Sequence, residues 1–225
     1  MSRAEEGPGL KVVALGVAAF VAGLWLLHGL VVVLGLDASA LGIRPRAVSG
    51  LAGIVAAPLI HGSWLHLFSN TLPLIVLGSA MLYGFPRAAR AALPLIWLGS
   101  GLLVWLLARD GVHVGASGVA FGMMFFVLSA GILRRDRASV ALVLLVFFLH
   151  GSMVWGVLPQ APGVSWESHL FGAVLGLVCG IALRHRDPIA APAVFDNSDL
   201  PDEPLPGQED EMDGSDQWRD DESEK

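Results

Sequence analysis

Six long apolar runs constrain this chain more than any other feature. They cover roughly residues 12–36, 65–84, 91–108, 115–133, 138–157 and 168–184. A helix crosses the hydrocarbon core in about 17–25 residues, and each run is near that length. Arg87 and Arg90 divide the second run from the third. Arg134, Arg135, Asp136 and Arg137 divide the fourth from the fifth, and Arg184, His185 and Arg186 close the sixth. Only 15% of the residues are charged, against about 25% in a typical soluble domain, which excludes an ordinary soluble enzyme. The expected fold is an all-α membrane protein, a bundle of six transmembrane helices.

The first run precedes Ala38-Ser39-Ala40, a triplet like a signal-peptide cleavage site. Its length exceeds the ~7–15 residues of a signal-peptide core, and five more runs follow, so it reads as an anchor. The single cysteine, Cys179, excludes a disulfide scaffold and any CxxC metal or redox site. The net charge of −6 averages two unlike parts. Residues 196–225 hold 13 of the 20 acidic residues against two basic ones, a charge of −11, whereas residues 1–195 carry +5. That acidic stretch has Pro201, Pro204, Pro206 and Gly207 and no apolar periodicity, so disorder in water is expected. The same distribution argues against a nucleic-acid partner. The organisation read from the sequence is a short cytoplasmic N-terminus over 1–11, a membrane domain over 12–186 and an acidic cytoplasmic tail over 187–225.

Basic residues orient the bundle. With the N-terminus inside, the inner segments hold nine (Arg3, Lys11, Arg87, Arg90, Arg134, Arg135, Arg137, Arg184 and Arg186). The outer ones hold Arg44, Arg46 and Arg109. This positive-inside bias predicts that both termini are cytoplasmic.

Polar residues within a bilayer are costly, which makes them functional candidates. The segment from His61 to Asn70 opens the second span at its outer end. His66 and Asn70 are four apart and share one helix face. His61 and Trp64 suit the headgroup region. Gly115-Ala116-Ser117-Gly118 opens the fourth span, also outside. Alone it reads as a packing seam with a serine at its edge, and it lacks the strand and the GxSxG spacing of a nucleophile elbow. Ser168-His169-Leu170-Phe171-Gly172 opens the sixth span. Gly172, Gly176 and Gly180 recur every four residues and make a smooth stripe for close packing. If that stripe meets the small residues of the fourth span, His169 comes to Ser117. No HExxH and no pair of acidic residues within a span points to a metal or an aspartyl site. Asp37, Asp110 and Glu167 fall in expected loops, where a solvated charge is the plain reading.

Three motifs in this order, HxxxxHxxxN at 61–70, GASG at 115–118 and His169 followed by Gly172, resemble the rhomboid family of intramembrane serine proteases. The resemblance covers most of residues 40–185 and implies a rhomboid-type six-helix bundle. It implies Ser117 as nucleophile and His169 as general base and acid. His66, Asn70 and the backbone N–H of Ser117 would form the oxyanion hole. Gly115, Gly118, Gly172, His61 and Phe121 would support the site. Phe121 stands where family members often carry a tyrosine beneath the catalytic histidine. Ser168 replaces a common alanine, and Arg44-Pro45-Arg46 replaces a Trp-Arg pair seen in many members.

The chemistry agrees with the residue types. A serine hydroxyl needs a base to take its proton, and histidine is the usual one. With no carboxylate in evidence, a Ser–His dyad is expected, without metal or cofactor. The substrate would be a single-span or other membrane protein that reaches the site through the lipid bilayer. Gly151, Gly156, Pro159, Pro162 and Gly163 suggest a mobile cap over 150–167, and that loop with the fifth span would form the gate. Competing readings are a catalytically inactive rhomboid-like binder, a small transporter or channel, and a scaffold. Arginine outnumbers lysine 12 to 2, which suggests a GC-rich bacterial genome and an inner-membrane location.

Overall fold

The computed structural model describes residues 8–159 and 163–187. The described chain folds into α1 (Leu10–Val33), a short α2 (Gly53–Ala56), α3 (Trp64–Gly84), α4 (Pro86–Leu107), α5 (Ser117–Arg134), α6 (Arg137–His150) and α7 (Trp166–Leu183). A 3₁₀ stretch, Gly151–Val157, continues α6. Six of these units are long and apolar enough to cross a membrane, and the described residues contain no strand. The acidic tail expected to be disordered lies outside the described residues.

Local chemistry sets the helix ends. Ser63 caps α3, its hydroxyl accepting the His66 backbone N–H at 3.1 Å. Asp136 caps α6 by accepting from the backbone N–H of Ser139 at 3.0 Å and from its hydroxyl at 2.6 Å. Pro86 begins α4, where its fixed φ and missing N–H cost nothing. The cap for α4 comes from far away. Asp187 accepts the backbone N–H groups of Arg87 and Ala88, each at 2.9 Å. The boundary between spans two and three is therefore Phe85, and Arg87 and Arg90 lie inside α4 rather than in a break before it.

α5 is the central helix, touched by α3, α4, α6 and α7, while α1 packs outside on α3 and α2 on α4. The α5–α7 pair is the most extensive, and its closeness depends on missing side chains. A Cβ on Gly172 would overlap the carbonyl of Gly118, and one on Gly176 the carbonyl of Gly122. The opposite surfaces are apolar and open. Leu26, Val33, Leu65 and Phe148 are each at least 75% exposed, a face that only lipid suits. The chain is a multi-pass integral membrane protein.

Six crossings bring residues 8 and 187 to one end of the bundle. The starts of α3, α5 and α7 then share the other end. There the connecting loops are tied together. Ile43 and His113 exchange backbone hydrogen bonds at 2.9 Å, and Trp105 Nε1 donates to the Ala47 carbonyl at 2.8 Å. The expected cap over 150–167 is helical over 151–157, and residues 160–162 lie outside the described set.

Candidate functional site

Ser117 is the first residue of α5, so its backbone N–H has no acceptor within the helix. The turn before it is set by Gly115, whose φ of 110° strains any residue with a side chain. The Gly115 N–H donates to the Ala57 carbonyl at 2.9 Å, which anchors the turn to the first loop.

His169 lies in the first turn of α7. Its Nε2 is 2.9 Å from Ser117 Oγ, and its Nδ1 is 2.9 Å from the Gly156 carbonyl oxygen. A carbonyl only accepts, so Nδ1 carries the proton and Nε2 presents a lone pair to the serine hydroxyl. The ring of Phe121, one turn into α5, stacks on His169 at 4.2 Å and 2° between planes. That stacking fixes the plane of the imidazole.

His66 and Asn70 lie on α3 and line the same cavity as the serine. The His66 ring rests against Gly115, where a Cβ would fall 2.5 Å from it. Asn70 is buried and donates one side-chain N–H to the His66 carbonyl at 2.8 Å. Its second N–H is not used in that bond. Ser117, His169, His66, Asn70 and Phe121 all line one open cavity of about 600 Å³, together with Met153. Gly118 and Gly172 lie in the helix seam beneath it.

His61 and Glu167 are both far more buried in the protein than their places in the sequence suggest. His61, expected at headgroup level, is 1% exposed, because segment 57–61 turns inward where Ala57 accepts from Gly115. Its ring meets His66 edge-on at 5.1 Å. Burial, with His66 and then His28 adding, pushes its pKa down to about 4. Glu167, read as a solvated loop charge, is 4% exposed in the first turn of α7, with Arg109 Nε 3.3 Å from its Oε1. The loop after α4 folds across the start of α7 and brings the cation. Trp64 remains half exposed and supplies the partner of His28, their rings 4.5 Å apart.

The Gly156 carbonyl is a site element that residue identity does not advertise, since every residue carries one. The description Rhomboid domain matches residues 48–186. The chain belongs to the rhomboid family. Uncharacterized proteins of Mycobacterium tuberculosis and Mycobacterium bovis are each 39% identical over 177 residues, covering 74% of this chain and 73% of theirs. An Arabidopsis thaliana protein named RHOMBOID-like protein 4 is 33% identical over 148 residues, covering 63% of this chain and 36% of its own length. The all-helical bundle with six candidate spans agrees with a rhomboid architecture.

Proposed function

We propose that this rhomboid is an intramembrane serine endopeptidase that cuts transmembrane segments of other membrane proteins with a Ser117–His169 dyad. The observation that carries the reading is the pair of 2.9 Å contacts of His169, one to Ser117 Oγ and one to the Gly156 carbonyl. They supply a base aimed at a nucleophile and held in the required tautomer.

In the first step His169 Nε2 takes the Ser117 proton as Oγ attacks the scissile carbonyl carbon. The tetrahedral oxyanion is met by the Ser117 backbone N–H and by donors from His66 and Asn70. The imidazolium then gives its proton to the leaving amine, and the acyl-enzyme forms. Water, activated by the same histidine, attacks the ester and frees the serine. A peptide bond inside a helix is shielded, so the substrate must unwind locally. Small or helix-breaking residues near the cut make that easier.

The nine-to-three bias of basic residues supports cytoplasmic termini and a site that opens toward the outer face. Mycobacterial relatives and the excess of arginine over lysine support a bacterial inner membrane. A permeation path is disfavoured, because the polar residues cluster at one end of the bundle.

The test uses a fluorophosphonate probe on the protein in detergent and in lipid, with the adduct mapped by mass spectrometry. An adduct on Ser117, absent in Ser117→Ala and His169→Ala, is expected. No labelling of folded wild type in either medium overturns the reading in favour of an inactive rhomboid-like binder.

A further inference from the structure

We propose that Arg109 and Glu167 are positioning residues that hold His169 against Ser117 from the outer side of the bundle. The proposal rests on the protease reading above.

The Ser–His pair straddles two helices, and the glycine seam holds those helices together from the level of Gly118 and Ser168 downward. Above it, the chain entering α5 and the chain entering α7 are both loops. A polar strap joins them. Arg109 donates from Nη2 to the Val164 carbonyl and places Nε 3.3 Å from Glu167 Oε1. His113 reaches Ser165 Oγ through Nδ1 at 2.6 Å, and its Nε2 is 3.1 Å from the Arg109 carbonyl. Ser165 Oγ in turn lies 2.6 Å from Ser168 Oγ. The strap thus runs from residues 109 and 113, a few positions before Ser117, to residues 164–168, immediately before His169.

Within the strap the ion pair has the most at stake. Glu167 is 4% exposed, and neither carboxylate oxygen has a hydrogen-bond partner. Arg109 lies beside it and is about half exposed. A buried carboxylate whose cation is removed is worse placed than no carboxylate at all. Loss of Arg109 would therefore drive Glu167 toward water and turn the first turn of α7, which carries His169. Loss of both charges removes that drive. A displacement on the order of 1 Å in a catalytic group costs up to about 10²-fold in rate.

The experiment measures fluorophosphonate inactivation of the full chain in lipid vesicles, separating the maximal rate from the probe's half-saturation. Arg109→Gln is expected to lower the maximal rate by about tenfold or more with half-saturation unchanged. Glu167→Gln, of the same shape without charge, should lose less. The double variant should recover to the level of Glu167→Gln, a rescue that a merely space-filling role does not produce. Should Arg109→Gln fail to fold, Glu167→Gln beside the double variant decides, since the proposal requires the two to match. Maximal rates equal to wild type in folded single variants overturn the proposal, as do losses that simply multiply in the double. In both of those cases the wild type still labels, so the protease reading survives. A wild type that never labels overturns that reading and the strap's role with it.

Discussion

The carbonyl oxygen of Gly156 and Nδ1 of His169 lie 2.9 Å apart, so a backbone group, not a side chain, orients the imidazole whose Nε2 meets Ser117 Oγ. A carboxylate in that place would both orient the ring and stabilise its cation. A carbonyl orients it and offers only a dipole. The 3₁₀ stretch Gly151–Val157 therefore works as part of the site, since its path sets the angle of the imidazole.

Gly156→Ala tests that dependence. A Cβ there would fall 2.6 Å from the edge of the Phe121 ring and 3.4 Å from His169 Nδ1. Phe121 cannot yield without releasing the histidine it stacks on. The expected outcome is a fall of about tenfold or more in the Ser117 labelling rate. Circular dichroism should show unchanged helix content.

His66→Ala and Asn70→Ala each remove a side chain that α3 contributes to the cavity around Ser117. Loss of one oxyanion donor typically costs about 10²–10³ in turnover, and the same range is expected here. Asn70→Asp should behave like Asn70→Ala, because a carboxylate offers no N–H. Turnover of a membrane-embedded reporter substrate, with KM measured alongside, checks both.

The route to the site is open to a separate test. α6 has the smallest buried share of the six candidate spans, and it packs beside α3. Crosslinking α6 to α3 is expected to stop cleavage of a transmembrane substrate. Labelling by a small fluorophosphonate should persist, since it needs no helix to move aside. Undiminished proteolysis in the crosslinked protein would place the gate elsewhere.

The parts of this site that were legible beforehand are those written in residue types at helical spacing. Gly172 and Gly176 advertise a close helix contact, and that contact carries His169 to Ser117. His66 and Asn70 declare a shared face at four-residue spacing. What the sequence does not display is set by loops folding back on helices. Glu167 looks like a loop charge until the turn after α4 brings Arg109 to it. His61 looks interfacial until the Ala57–Gly115 hydrogen bond draws its segment inward. Arg87 and Arg90 look like a break, but Pro86 starts the helix one residue earlier and Asp187 caps it from a hundred residues away.

That distant cap predicts different fates for one truncation and one substitution. Deleting 196–225 leaves Asp187 in place, and both labelling and thermal stability should stay at wild-type levels. Asp187→Ala leaves the Arg87 and Ala88 N–H groups without their acceptor. Loss of an N-cap costs about 0.5–2 kcal/mol, so a lower unfolding midpoint with Ser117 still reactive is expected. Loss of labelling in the inserted truncation would instead assign the acidic segment a part in catalysis.

His61 makes the site's stability depend on pH in a definite direction. Its pKa in the folded protein is about 4, against an ordinary value of 6.5, because burial and the neighbouring His66 and His28 oppose its charge. Well above pH 6.5 the ring is neutral whether the chain is folded or not, and it contributes no pH dependence. As pH falls from 6.5 toward 4, the unfolded chain binds a proton that the folded one does not, so stability is lost across that window. The loss reaches at most about 3 kcal/mol at 1.36 kcal/mol per unit. His61→Gln cannot titrate, and its unfolding midpoint should fall less steeply between pH 6.5 and 4 than that of the wild type. Thermal unfolding in detergent at half-unit pH steps provides the comparison. Parallel curves for the two proteins would mean that His61 is protonated in place, its charge held by the histidine cluster rather than excluded from it.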